Sequence, residues 1–201
     1  MTDQAIRIDS RFNRIAAIIV WSLAALAVIT AVWSSDPRLA WVYAGAPLAA
    51  LLGWAALWRP CVIVSEHGVR IENVSHDVDI PWAALVHVET ARALTLHTPS
   101  GGFTAWSAPA PGYFTTMMGN TRARREARAA GGDARPSDRM GTDSGNAAVV
   151  VRETWRRRLD AGQVPLGVAG ETPVKRQWHV LLIAACVVLA MVSVALIVAT
   201  G

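Results

Sequence analysis

Five histidines, His67, His76, His87, His97 and His179, are the side chains in this sequence best suited to moving a proton or binding a metal near neutral pH. They are scattered, and no pair has HExxH or CxxC-type spacing. Asp77 and Asp79 stand two residues apart and so share one face of a strand, where they can hold a cation weakly. The same spacing marks the solvated face of an edge strand, and that is what the pair is expected to be. Cys61 follows one apolar run and Cys186 lies inside another, so neither a disulfide nor a metal site is legible. Cys61 is expected as a small buried core residue in preference to an acylation site. No nucleophile stands beside a base. The sequence therefore predicts no catalytic residue, no metal ligand, no cofactor and no enzymatic activity.

The basic residues are more informative. Arg122, Arg124, Arg125 and Arg128 fall in a segment rich in Gly, Ala and Pro, and Arg152, Arg156 and Arg158 follow at helical spacing. Beside a leaflet rich in anionic lipid, each such residue contributes about 1 kcal/mol of attraction. These seven are the candidate anionic-lipid contacts. The competing reading is that the charges keep a loop solvated. Nucleic acid is not an expected partner, because no aromatic residues interleave with the arginines.

These groups are carried on a chain of 201 residues that is 53% hydrophobic and only 17% charged. A soluble domain carries nearer a quarter charged residues. Three uncharged runs make the difference, lying between Arg14 and Asp36, between Arg38 and Arg59, and from Gln177 to Gly201. Each is close to the ~20 residues that a helix needs to cross the hydrocarbon core of a bilayer. The first run exceeds the apolar core of a signal peptide and offers a poor cleavage site, so a retained span is expected. Ser34-Ser35-Asp36-Pro37 has turn chemistry, so residues 15–58 read as a transmembrane hairpin, with residues 178–200 as a third span. Trp33, Trp41, Trp54, Trp58 and Trp178 mark the span ends, where an indole suits the headgroup level. Pro47, with Gly45 and Gly53 nearby, is expected to kink or loosen the second helix. No Asp, Glu, Lys or Arg lies within a span, which argues against a transport pathway.

All but Arg38 of the 19 Lys and Arg residues lie outside the hairpin turn. The positive-inside rule then places residues 1–14 and residues 59–177 in the cytoplasm, with the C-terminus at the outer face. Asn73-Val74-Ser75, a glycosylation sequon, has no meaning on that side. Lys175 is the only lysine, a bias toward arginine that fits a GC-rich bacterial source and its plasma membrane.

Between the second and third spans the period changes. Cys61–Ser65, Val69–Asn73, His76–Ile80, Leu85–Thr90, Leu94–Thr98 and Phe103–Trp106 read as six short strands. Residues 59–110 are thus a meandering antiparallel sheet or small barrel. Residues 111–144 read as a flexible insertion rich in Arg, Gly and Pro. Residues 145–161 form an amphipathic helix on Ala148, Val151, Trp155 and Leu159, and residues 162–177 are a linker.

The run Val62-Ile63-Val64, His67-Gly68-Val69-Arg70-Ile71, Asp79-Ile80-Pro81-Trp82 and Val86-His87-Val88-Glu89 resembles the bacterial pleckstrin-homology (PH) family. It is most similar to the actinobacterial group named for low-molecular-weight protein antigen 6. The resemblance covers roughly residues 58–110. It implies a curved sheet closed by a C-terminal helix that carries a core aromatic, here Trp155. The whole would be an α-helical membrane protein with three transmembrane helices and a small PH-like β domain, closed by its amphipathic helix. Ile63, Val69, Ile71, Ile80, Trp82, Trp106 and Trp155 are the expected core. Two features depart from the family: the long insertion, and six strands where a full PH fold has seven. PH domains that bind phosphoinositides use Lys and Arg around the first hairpin turn, whereas Ser65-Glu66-His67-Gly68 is acidic. The expected role is a protein-binding or scaffolding module for a membrane or envelope protein. A domain that binds the anionic membrane surface and an unrecognised enzyme are the alternatives.

Overall fold

The computed structural model describes residues 5–90, 93–109, 143–165 and 167–200, and the chain divides into two compact units. The expected insertion, with Arg122, Arg124, Arg125 and Arg128, lies almost wholly outside the described residues.

The helical unit holds α1 (Arg11–Ser34), α2 (Val42–Gly53, continued by a π-helical stretch Trp54–Trp58) and α3 (Val180–Thr200). Among the described residues, the three segments Arg11–Ser34, Pro37–Trp58 and Val180–Thr200 are long and apolar enough to cross a membrane. Ser35 turns the chain in the left-handed region (φ 49°), and the Asp36 carboxylate accepts the Arg38 N–H at 2.9 Å. Pro47 sits inside a continuous α2. The irregularity comes after it, at residues 54–58, as a π-helical stretch.

The packing of this unit inverts that of a soluble bundle. The residues it buries are mostly small: Ala17, Ala31, Ala44, Ala46, Gly53 and Ala55. Its bulky side chains, such as Ile15, Ile18, Leu23, Leu26 and Ile29 of α1, face outward. Small residues let backbones approach closely: a Cβ on Gly53 would stand 3.1 Å from a Val20 methyl. The Trp21 indole N–H donates to the Ala50 carbonyl at 3.0 Å. Ser22, Thr30, Ser193 and Thr200 each donate to the carbonyl four residues back, so their hydroxyls find partners without water.

The second unit contains two sheets, in which β1 to β4 and β5 to β7 pair antiparallel. β1 (Ile6–Ile8), β2 (Cys61–Val64), β3 (Gly68–Glu72), β4 (His76–Pro81) and β8 (Lys175–Trp178) form a five-stranded sheet in the order β1-β2-β3-β4-β8. β5 (His87–Glu89), β6 (Ala93–Thr98) and β7 (Gly101–Pro109) form the other. α4 (Asp143–Asp160) packs against β5, β6 and β7. Val62, Val69, Ile71, Ile80, Leu94, Leu96 and Val151 fill the space between them, with Trp155 and Leu159 partly buried at its margin.

Two segments have more structure than their sequence announced. The N-terminal segment contributes β1, which pairs with β2 in the register Ile6↔Val64 and Ile8↔Val62. The strand therefore precedes the two long helices, while its partner follows them. The segment 162–177 is likewise more than a linker: Val164 and Val174 reach the core, and β8 extends the sheet beyond β4.

Two expected core residues lie elsewhere. Val62 and Val64 take the inner face of β2, so a period of two turns Ile63 outward, opposite Arg7 and Arg70. Likewise Ala105 and Ser107 take the inner face of β7, and Trp106 between them is 58% exposed. Asn73 joins the two sheets, its amide donating to the Thr104 carbonyl at 3.0 Å and accepting the Trp106 N–H at 2.9 Å.

Candidate functional site

The Asp77 and Asp79 carboxylates do have a cation, and it is a side chain of the protein. Register places Arg70 opposite Asp79 and Glu72 opposite Asp77 on one face of the β3–β4 ladder. The guanidinium reaches Asp77 at 3.0 Å, and Glu72 and Asp79 at 3.5 Å each. Partial burial alone would lower the Arg70 pKa, but Asp79, Asp77 and Glu72 together hold it above its ordinary value. Arg70 also lines a cleft of about 290 Å³ with His67, Asp79, Pro81 and Lys175. Gly68 is required beside it, because a Cβ there would run into the Ile80 carbonyl oxygen and lie 2.8 Å from the Pro81 Cα. Among the described residues, no group of three His, Cys, Asp or Glu side chains is placed to hold a metal ion.

Cys61 is fully buried, and its thiol donates to Glu72 at 3.3 Å. Burial first, then the bond to Glu72 and its charge, push the thiol up to about 12. It is held as the neutral thiol, unsuited to nucleophilic attack or acylation.

The helix arginines are unequal. Arg152 donates to the Val88 carbonyl of β5 at 2.8 Å, and so ties α4 to the sheet. Arg158 donates to Gln163 at 3.1 Å beyond the helix end. Arg156 is exposed. The expected lipid-facing stripe is thus partly occupied in structural bonds.

One grouping is legible only once strand register is known. β5 and β6 pair as His87↔His97 and Glu89↔Thr95, which brings four polar side chains to the outer face of the smaller sheet. The His97 imidazole bonds Glu89 at 3.0 Å, and the His87 ring centre stands 6.0 Å from that of His97. The Thr95 and Thr104 hydroxyls bond at 3.0 Å across β6 and β7, and the exposed Trp106 lies further along β7. Alternation alone would have put 87 and 89, and 95 and 97, on shared faces. It does not say that the two faces coincide.

In the helical unit, His179 meets Arg59, with Nη2 to Nε2 at 2.7 Å. No family model, no curated protein and no solved structure matches the chain.

Proposed function

We propose that the chain is a multi-pass membrane protein that presents a PH-like domain to the cytoplasm as a non-enzymatic binding module for another membrane or envelope protein. The observation that carries this reading is the outer face of the β5–β6–β7 sheet. There a 58%-exposed indole, Trp106, sits among hydroxyl, imidazole and carboxylate groups. An exposed aromatic with a polar surround has the make-up of a protein-interface hot spot.

Membrane placement is supported by the outward-facing Ile and Leu side chains of α1 and by small residues where the helices meet. A PH-like fold is supported by strand count and order. The six strands of residues 61–109 become seven with β1, arranged as β1–β4 and β5–β7 and followed by a helix whose Trp155 packs on the core. In that count the first turn is the long helical hairpin itself, and Ser65–Gly68 is the second turn. The place where the family gathers phosphate-binding Lys and Arg is then occupied by transmembrane chain.

The test is photo-crosslinking from position 104 in the full chain in native membranes. A single membrane-protein adduct is expected that survives high salt and disappears with Trp106→Ala. Adducts that are indifferent to Trp106→Ala would remove the reading.

A further inference from the structure

We propose that the outer face of the β5–β6–β7 sheet holds its partner only while His87 is neutral, so that a proton on this imidazole releases the partner. This rests on the reading of that face as the protein interface, and adds a regulator to it.

The face carries two imidazoles with unequal surroundings. His97 is held on two sides. Its Nε2 bonds the Glu89 carboxylate at 3.0 Å, and its ring lies against Gly102, where a Cβ would stand 3.3 Å from both Nδ1 and Cε1. A carboxylate only accepts hydrogen bonds, so Nε2 carries the proton of the neutral ring. A second proton, on Nδ1, would turn this contact into an ion pair. Charge on His97 therefore has a partner within the face, covered or not.

His87 has no such partner. It is exposed, and register sets it opposite His97, with the ring centres 6.0 Å apart. Among the described residues no carboxylate comes within ion-pairing distance of it, and Glu89 is taken up by His97. The elements packed on β5 offer none. β6 contributes only His97, and β7 has no charged or titratable side chain. On α4, Arg152 reaches the Val88 carbonyl, Glu153 pairs with Arg157, Arg158 bonds Gln163, and Arg156 and Asp160 are exposed. Arg92 lies outside the described residues.

A partner that covers this face takes water from both rings. Loss of water disfavours a charged imidazole unless a carboxylate replaces it. For His97, Glu89 does so. For His87 nothing on the face does, and a second imidazole stands beside it. β5 and β7 are two strand spacings apart, ~10 Å, so a standard patch of about 800 Å² spans the sheet from one to the other. Glu89 also disfavours a second carboxylate here, so the partner surface over His87 is uncharged. Free His87 thus binds a proton that covered His87 does not, and binding weakens as pH falls through the imidazole range.

The experiment is the photo-crosslink from position 104 in the full chain, run in opened native membranes at about pH 7.5 and about pH 5.5. Adduct yield is expected to fall about tenfold at the lower pH, the linkage of one proton over one pH unit below the imidazole range. His87→Gln should keep the higher yield at both pH values, and His97→Gln should leave the fall in place. An equal fall in His87→Gln would overturn the inference, because acid would then act elsewhere in the domain. So would a yield that rises as pH falls, which would mean that the partner brings a carboxylate to His87. An adduct indifferent to pH in the wild type would remove this inference and leave the interface standing. No adduct at either pH would remove the interface itself, and the inference with it.

Discussion

At the scale of single residues, Arg70 does the most to join sequence to structure. It holds three carboxylates on one face of the sheet, and Asp77 among them is nearly buried. Arg70→Gln would remove the guanidinium that stands 3.0 Å from that carboxylate. Removing one member of a fully buried pair costs about 3–5 kcal/mol. Arg70 is 39% exposed, so solvent screening brings the expected loss down to about 2 kcal/mol, read as a lower melting temperature of the full chain in detergent. Gly68→Ala should be similarly harmful, at about 1–3 kcal/mol, because the Cβ meets backbone atoms of Ile80 and Pro81 that no rotamer change can move. For Cys61 the sign follows from its raised pKa. The neutral thiol contributes stability that is fully present below the ordinary value of 9.0 and is lost as pH climbs toward about 12. A maleimide at pH 8 should therefore leave Cys61 unmodified until the chain unfolds, and Cys61→Ala should flatten the alkaline loss. Rapid labelling of folded protein at pH 8 would contradict both statements.

At the scale of elements, β1 is the test of how the β unit is assembled. Ile8 packs on the core and pairs with Val62, yet Ile6-Arg7-Ile8 is three residues long and stands before a long apolar run. Ile8→Asp should open the β1–β2 pair and expose the β2 edge, seen as faster proteolysis within residues 61–72, whereas Arg7→Gln on the outer face should not. The reason β1 was missed is physical. A three-residue strand carries too little alternation to be read, and its partner lies beyond the entire hairpin. The three long apolar helices were legible because their signal repeats over some twenty residues. Val69-Arg70-Ile71 was legible too, since polar and apolar residues alternate and fix the buried face. Cys61-Val62-Ile63-Val64 is apolar throughout, so its phase is not in the sequence, and only strand pairing shows that Ile63 faces outward. Trp106 failed for a different reason: aromatic residues are usually buried, and only the inward Ala105 and Ser107 show that this one is not. As for the candidate sites, Arg59 and His179 are 120 residues apart, and no local pattern links them.

At the scale of the whole molecule, β1 constrains topology in a way that charge does not. β1 precedes the first long helix, β2 follows the second, and the two strands are hydrogen-bonded to each other. If both helices cross the membrane, the chain must leave and return to the same side, so the N-terminus and the β unit share a compartment. α3 is then a single further crossing. On that condition the positive-inside rule would choose the compartment, because Arg38 is the only one of the 19 Lys and Arg residues between residues 15 and 58. The two arguments are independent, and one experiment separates them. In a chain with Cys61→Ala and Cys186→Ala, a single cysteine is placed either at Ser35, in the exposed hairpin turn, or at Gln163, in an exposed turn of the β unit. In intact cells a membrane-impermeant maleimide should label the Ser35→Cys protein, and should reach the Gln163→Cys protein only after permeabilisation. The opposite pattern would reverse the orientation while leaving the paired-strand argument standing. Labelling of both positions in intact cells would break it, because a hairpin that opens and closes on one sheet cannot present its turn and that sheet to the same side.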